Sequence, residues 1–270
     1  MYGAILGDII GEPYEFGKSP KTKDFPLFCK NPSFTDDTVM TIAVCDGILK
    51  AGLDADENTM KTAMITSMQL WGHRYPYAGY GGRFYRWLAN EETKPYGSWG
   101  NGSAMRVSSV GWLFETLERT REVARWSAEV THNHPEGVKG AESIASVIWL
   151  ARSGKSKTEI KEYVQREFGY DLSRTCDQIR PEYQHVESCQ ETCPEAITAF
   201  LEGVDFEDVI RTAVSLGGDC DTLTDIATSM GEAFFGLPEK FKKWAYELTA
   251  DDMHKVMKEF EKQQIPAKRG

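Results

Sequence analysis

The chain of 270 residues is short of positive charge, of long apolar runs and of alternating strand patterns. With 31 basic against 41 acidic side chains the net charge is −10, so the surface repels phosphate backbones and anionic lipid, and general nucleic-acid binding is disfavoured. No run of about 20 apolar residues exists, so no membrane span is predicted. The first residues lack a basic region and reach Asp8 too early for a signal peptide, so we expect a cytoplasmic protein.

Cysteine is also sparse for a disulfide-stabilised fold. Six scattered thiols in a chain of this length indicate free cysteines in a reducing compartment. One alternative stays open, although its spacing matches none of the usual zinc pairs closely. That alternative is a zinc site formed by Cys176, His185, Cys189 and Cys193.

What the sequence does contain is helical periodicity, with no linker or repeat that would divide it. An amphipathic helix is predicted to begin after Thr35 and to end at Gly52. Ser156 and Glu159 form the pattern of a capping box and predict another helix start. The prediction is an all-α protein of roughly ten helices, folded as one compact orthogonal bundle over residues 1–270.

Loops rich in glycine, proline and aromatic residues interrupt this pattern at residues 25–34, 75–82 and 96–102. Such loops can line a pocket. Residues 169–195 are polar and hold few large aliphatic side chains, which predicts an irregular excursion on the surface.

The first cluster that could carry chemistry is Thr35-Asp36-Asp37-Thr38, at the start of the predicted helix. Carboxylate and hydroxyl oxygens suit a hard cation such as Mg²⁺. The alternative is an ordinary helix cap with acidic residues in the first turn, which would give the same residue pattern.

The second cluster places Asp219, Asp221 and Thr222 after the pair Gly217-Gly218, again before a predicted helix. The glycines allow a tight turn with positive φ, and two aspartates two positions apart on extended backbone project to one side. A capped helix is again the alternative. If both clusters face each other, four carboxylates repel strongly unless cations lie between them, which favours a two-metal site.

Three further features could contact a substrate. Asn101, Gly102 and Ser103 lie in a glycine-rich turn that runs into a helix, where backbone N–H groups can hold phosphate oxygens. His132 precedes a predicted helix start at Pro135 and suits substrate contact or a structural role. Glu15 follows a Gly-Pro break, and spacing alone favours a solvated surface acid there.

The order of these motifs resembles the ADP-ribosylglycohydrolase family. The resemblance rests on five motifs spread over most of the chain: Gly7-Asp8 with Gly11 and Glu15, Thr35-Asp36-Asp37-Thr38, Gly100-Asn101-Gly102-Ser103 with Met105-Arg106, Thr131-His132, and Gly217-Gly218-Asp219 with Asp221-Thr222. It implies an all-α fold with a binuclear magnesium centre in a cleft. Cys220 departs from the pattern, since small or hydroxyl residues are frequent between the two aspartates.

The resemblance also implies a role for each matched residue. The implied metal ligands are Thr35, Asp36, Asp37, Asp219, Asp221 and Thr222. Glu15 would be the loop glutamate near the scissile ribose, and Asp36 or Glu15 would take a proton from water. Asn101, Gly102, Ser103 and His132 would contact the substrate.

The implied reaction is metal-assisted cleavage of the bond at the anomeric carbon of the distal ribose, with release of ADP-ribose from a modified target. The expected cofactor is two Mg²⁺ ions, with Mn²⁺ as an alternative. The target would be a protein side chain, with nucleic acid or a small molecule as alternatives, and the enzyme a monomer. A non-catalytic ADP-ribose reader and a metal-dependent phosphohydrolase are the competing hypotheses.

Overall fold

A computed structural model describes residues 1–90 and 93–268, and all regular secondary structure in these two ranges is helical. One isolated bridge pairs Gly100 with Ser188. Within the described residues, a single 3₁₀ turn at Glu12–Tyr14 follows the first of fifteen α-helices. The α-helices are α1 Tyr2–Gly11, α2 Asp36–Ala51, α3 Glu57–Arg74, α4 Gly82–Ala89, α5 Gly102–Met105, α6 Val110–Leu113, α7 Leu117–Glu129, α8 Pro135–Arg152, α9 Lys157–Phe168, α10 Cys176–Ile179, α11 Cys189–Glu202, α12 Phe206–Leu216, α13 Cys220–Phe235, α14 Glu239–Leu248 and α15 Met253–Gln263.

The all-α prediction is confirmed, and so are the three helix termini predicted from local chemistry. The Thr35 hydroxyl accepts a hydrogen bond from the Asp37 N–H at the start of α2, and Gly52 ends that helix with a φ of 87°. The Ser156 and Glu159 side chains make both bonds of the capping box at α9. No helix within the described ranges is long and apolar enough to cross a membrane.

The predicted count of roughly ten helices was too low. Three of the fifteen, α5, α6 and α10, have only four residues each, which is one turn and too short for an apolar repeat to appear in the sequence. Their shortness accounts for most of the difference.

The prediction of an irregular surface excursion at residues 169–195 was partly wrong. The segment contains α10 and the first half of α11, and its three cysteines are buried. Cysteine behaves as a small apolar residue in a core, so thiols anchor a segment that is otherwise polar. All six cysteines are free, as predicted.

Helix α13 lies at the centre of the bundle and packs against α1, α8, α11 and α12. Every residue from Cys220 to Ala233 is buried, although the helix also carries aspartates and several threonines and serines. A helix enclosed on all sides places its first turn deep within the protein. That first turn carries the second acidic cluster.

The closest helix contact joins α1 to α13 through three glycines on one face of α1. A Cβ built on Gly3 would lie 2.3 Å from the carbonyl oxygen of Thr228, and one on Gly7 would lie 2.5 Å from the Asp225 nitrogen. A Cβ on Gly11 would lie 2.5 Å from the Cys220 carbonyl oxygen. Because no side chain separates them, the two backbones are in direct contact at each of these three glycines.

We predict that Gly7→Ala lowers the free energy of unfolding by about 1–3 kcal/mol, the usual cost of overpacking a close contact. The methyl group would meet backbone atoms of α13, which cannot rotate away as a side chain can. Gly82→Ala is the matched control, since Gly82 has no atom within 4 Å of a built Cβ and begins a helix. Urea denaturation of both variants is the measurement, and equal stabilities would contradict the close-contact account.

Candidate active site

A cavity of about 600 Å³ opens where the first turns of α2, α5 and α13 meet. It brings together both acidic clusters, which are almost 200 residues apart in the chain, and the glycine-rich turn. Ten of the eleven predicted site residues line it: Glu15, Thr35, Asp36, Asp37, Asn101, Gly102, His132, Asp219, Asp221 and Thr222. All three predicted pocket loops, residues 25–34, 75–82 and 96–102, supply further parts of the wall.

The first acidic cluster is held in place by Asp8 of α1. One carboxylate oxygen of Asp8 accepts hydrogen bonds from the backbone N–H groups of Thr35 (2.9 Å) and Thr38 (3.0 Å). The other accepts from the Thr35 hydroxyl at 2.8 Å. A buried carboxylate therefore caps the start of α2 from a neighbouring helix, which fixes the cluster on α1.

The second acidic cluster depends on the glycine pair before α13. Gly217 and Gly218 have φ values of 75° and 80°, a region that side-chain-bearing residues rarely adopt. A Cβ on Gly218 would lie 2.3 Å from the ring of Tyr183, so the position also needs a bare backbone. The Asn101 amide donates to the Asp219 carboxylate at 2.6 Å and ties this cluster to the glycine-rich turn.

The charges around the cavity are mostly negative. Seven acidic side chains and two arginines line it: Glu12, Glu15, Asp36, Asp37, Glu187, Asp219 and Asp221 against Arg83 and Arg106. Burial and then neighbouring carboxylates raise the pKa of Asp36 to about 8 and hold the pKa values of Asp37 and Asp221 well above their usual range. One buried oxygen of Asp37 has no hydrogen-bond partner in the part of the chain that the structure describes.

This donor set fits a hard divalent ion. The two clusters offer carboxylate and hydroxyl oxygens, which Mg²⁺ and Mn²⁺ accept, and a cation would satisfy the orphaned oxygen of Asp37. It would also stabilise the ionised form of each carboxyl and so lower its pKa. The residues present therefore match the predicted metal centre in chemistry.

Glu15 stands at the edge of the cavity, on the turn that follows the 3₁₀ helix. Phe16 and Gly17 next to it have φ values of 52° and 76°, so the chain reverses direction sharply there. The carboxyl of Glu15 is half-buried, and burial together with the nearby charge of Asp219 raises its pKa to about 7. Glu15 is thus a carboxyl of the cavity with a pKa near neutral pH. Spacing alone had favoured a solvated surface acid at this position.

The glycine-rich turn places Asn101 and Gly102 on the cavity wall but Ser103 behind it. The Ser103 hydroxyl donates to the Gly137 carbonyl oxygen at 2.7 Å and is fully buried. Its position supports the turn from below. The backbone N–H groups of Gly102 and Ser103 have no acceptor within the part of the chain that the structure describes, so they remain able to bind an anion.

His132 lies beneath the same turn as a neutral imidazole. Burial, and then the positive charge of Arg106, holds the pKa of His132 well below its usual range. Its Nδ1 lies 2.7 Å from the Thr131 hydroxyl, and that hydroxyl oxygen also accepts a hydrogen bond from Arg106. Arg106 is itself buried and pairs with carbonyl and hydroxyl oxygens, which makes this group a rigid floor for the cavity.

Sequence reasoning missed two residues of the site. Asp225 lies one turn after Asp221, is completely buried and has no hydrogen-bond partner among the described residues for either carboxylate oxygen. Burial, and then the charge of Asp8, holds the pKa of Asp225 well above its usual range, and the carboxyl lies beneath the clusters. Asp8, noted only as part of a motif, anchors α2. Neither role has a local signal, since both arise from contacts between distant helices.

The sequence had left open a zinc site formed by cysteines with His185, and this alternative was wrong. His185 lies instead with Glu15 and Asp219, whose ligand atoms are all within 4.8 Å of one another. This is the only group of three His, Cys, Asp or Glu ligands found with such spacing in residues 1–90 and 93–268. The buried cysteines of α11 contact the Gly100 turn and Tyr170 instead.

Comparison with known proteins agrees with the motifs. A family model described as "ADP-ribosylglycohydrolase" matches residues 1–265. The human protein "ADP-ribosylhydrolase ARH3" is 24% identical over 342 aligned positions, which cover 95% of this chain and 92% of that protein. "ADP-ribosylarginine hydrolase Tri1" of Pseudomonas putida (strain GB-1) is 22% identical and covers 90% of this chain and 71% of its own length.

One solved structure, named "ADP-ribosylglycohydrolase-related protein complex", has the same fold. Its TM-score is 0.71 at 21% identity, and the alignment covers 97% of this chain and 95% of that chain. The predicted fold class is therefore confirmed by an independent structure.

We predict that, with divalent ions removed by chelator, stability falls as pH rises from about 4 to about 8. The folded-state pKa values of Asp8 (about 6), Glu15 (about 7) and Asp36 (about 8) exceed the unfolded value of about 4. The folded state therefore binds more protons in this interval, and each proton lost as pH rises weakens it. Exposed acids with lowered pKa values, such as Asp56, titrate below this interval.

The measurement is urea denaturation at several pH values in chelator. Asp36→Asn removes one of the titrating groups and should flatten the profile. A stability that rises with pH over the same interval would contradict this account of the cluster.

Proposed function

The chain belongs to the ADP-ribosylglycohydrolase family, a family of glycosidase-type hydrolases, and on that premise we propose that it removes ADP-ribose from a modified target. The bond cut would be the one at the anomeric carbon of the distal ribose. The reaction would be hydrolysis, with two divalent ions as cofactors. The predicted family and the predicted class of enzyme are thus both supported.

The observation that carries this proposal is the meeting of both acidic clusters and the glycine-rich turn in one cavity. A reader of ADP-ribose needs a pocket, but it does not need oxygen donors from two helix starts on one wall. A phosphohydrolase could use the same donors. The half-buried Glu15 at the cavity edge favours glycoside cleavage, because a carboxyl with a pKa of about 7 can act as an acid or a base at neutral pH.

The metal ions would be held by the oxygen donors of both helix starts. The proposed ligands are Thr35, Asp36, Asp37, Asp219, Asp221 and Thr222. When bound, two Mg²⁺ or Mn²⁺ ions would act as Lewis acids that bind the ribose hydroxyls and make a coordinated water more acidic.

The protein's own residues would orient the substrate and move the proton. Asn101 and Gly102 would hold the diphosphate and adjoining ribose, with Ser103 fixing the turn from behind. His132, as a neutral imidazole, would contact the ligand without adding charge. Glu15 or Asp36 would take the proton from the attacking water, and the surrounding carboxylates would stabilise the cationic character that develops on the sugar.

We expect the protein to release free ADP-ribose from at least one linkage when it is assayed on ADP-ribosyl arginine, serine and cysteine, on an ADP-ribosylated base and on a small metabolite conjugate. We propose a protein side chain as the natural target. Release should require Mg²⁺ or Mn²⁺ and should stop in chelator. Product analysis separates the alternatives, since phosphate release would indicate a phosphohydrolase, and binding without turnover of any linkage would indicate a reader.

Asp36→Asn and Asp221→Asn should each lower kcat by more than about a hundredfold with the fold intact. Losses of this size are usual when a group that acts directly on the reacting atoms is removed. Each change keeps the size of the side chain and removes one anionic ligand from one cluster. Asp54→Asn, at an exposed position outside the cavity, is the matched control. Circular dichroism checks folding, and full activity of either site variant would overturn the metal assignment.

The proposals of a monomer and of a cytoplasmic location remain predictions. Gel filtration with light scattering is the direct measurement of the first.

A further inference from the structure

Three side chains at the edge of the cavity could bind a metal together. They share Asp219 with the two acidic clusters, but they add an imidazole nitrogen to the carboxylate oxygens. Glu15, His185 and Asp219 offer one ligand atom each, all within 4.8 Å of one another. The three come from separate segments of the chain, and they run from an exposed imidazole through a half-buried carboxylate to a buried one. We propose that they form a transition-metal site that takes Zn²⁺ and that its occupation inhibits the enzyme.

The donor set selects the ion. One imidazole nitrogen with two carboxylates suits Zn²⁺, whereas Mg²⁺ prefers oxygen donors and retained water. Three protein ligands with one position open to solvent is the arrangement of an exchangeable zinc site rather than a closed structural one. Two carboxylates also balance the charge of the ion.

The distances need only a small adjustment. Ligand atoms around a tetrahedral zinc ion are separated by roughly 3.3 Å, because each metal–ligand bond is about 2.0–2.2 Å long. The present upper limit of 4.8 Å closes to that value if the two outer side chains move inward. His185 is exposed and Glu15 lies on a turn, so both can move, while the buried Asp219 is fixed by its bond from Asn101.

The segment that carries His185 is held against the cavity by Lys21. The Lys21 ammonium donates to the carbonyl oxygens of Arg180 (3.0 Å), Tyr183 (3.1 Å) and Leu216 (2.6 Å). This one side chain therefore joins the segment before His185 to the end of α12, next to the glycine pair. These contacts hold the segment close to the cavity edge, where the three ligand atoms lie within 4.8 Å of one another.

Two neighbours orient the imidazole of His185. Its Nε2 lies 3.2 Å from a carboxylate oxygen of Glu187, and a carboxylate partner of this kind commonly orients a metal-binding histidine. The ring also stacks on Phe16 with a centroid distance of 5.3 Å. Phe16 follows Glu15 directly, so the stack links the histidine to the glutamate's own turn.

Inhibition follows from sharing of ligands and rests on the proposed function. Asp219 is a proposed Mg²⁺ ligand, and Glu15 is a proposed proton carrier. An ion bound by both would withdraw Asp219 from the oxygen-donor site and hold Glu15 away from the attacking water. Zn²⁺ and the catalytic ions should therefore compete, and the inhibition should weaken as Mg²⁺ increases.

The binding test needs no substrate. Chelator-treated full-length protein is titrated with Co²⁺, whose visible absorption reports a nitrogen ligand and low coordination number, and the bound Co²⁺ is then displaced with Zn²⁺. His185→Gln should weaken Zn²⁺ binding by about tenfold or more and change the Co²⁺ spectrum. His73→Gln is the matched control, since His73 bonds the Leu88 carbonyl oxygen outside the cavity. Equal Zn²⁺ affinity in wild type and His185→Gln would overturn the site.

The activity test separates this inference from the proposed function. Each variant is compared with its own rate without Zn²⁺, on whichever ADP-ribosyl linkage the protein cleaves. Zn²⁺ should inhibit the wild type and the His73→Gln variant, and His185→Gln should need about tenfold more Zn²⁺ for the same inhibition. Equal inhibition of all three would overturn the regulatory role. If no linkage is cleaved, the proposed function fails, while a His185-dependent Co²⁺ spectrum still establishes the metal site.

Discussion

The structure depends on the direct contact between the backbones of α1 and α13. Gly3, Gly7 and Gly11 leave no side chain between the two helices, so α1 lies directly against α13 from Cys220 to Thr228. Asp8, one residue after the middle glycine, then reaches the start of α2 and accepts three hydrogen bonds there. The contact thereby sets the distance between the two acidic clusters, one at each helix start, and a larger residue on this face would separate them.

The same contact concentrates negative charge in the interior. Asp8 and Asp225 lie behind the clusters, and Asp36, Asp37, Asp219 and Asp221 line the cavity in front. Burial and mutual repulsion raise the pKa values of these carboxyls, that of Asp36 to about 8 and those of Asp37, Asp221 and Asp225 well above their usual range. The proposed binding of cations to this cluster would be coupled to the loss of protons from these carboxyls.

The sequence predicted features that local chemistry decides. Thr35 and Gly52 marked the two ends of α2, the Ser156 and Glu159 pair marked α9, and the glycine pair before Asp219 marked a turn with positive φ. The motifs identified the family because they occur together and in a fixed order. Five motifs in order are far more specific for one family than any single motif.

The remaining features depend on contacts between distant segments, which periodicity does not record. One-turn helices such as α5 are too short to show a repeat, and the thiols of residues 169–195 gave no sign that they were core anchors. The placement of Ser103 behind its turn and of His185 beside Glu15 follows from packing against Gly137 and from the Lys21 contacts. The buried Asp225 has no signal in the sequence beyond its place on a helix.

We propose that the two acidic clusters, which lie far apart in the sequence, act together as one cation site. The most direct measurement is Mg²⁺ affinity by calorimetry for the wild type, Asp37→Asn, Asp221→Asn and the double variant. The account predicts that each single change weakens binding and that the double change departs from additivity by more than about 0.5 kcal/mol, the level at which coupled residues are distinguished from independent ones. Strictly additive losses, or unchanged affinity in either single variant, would contradict it.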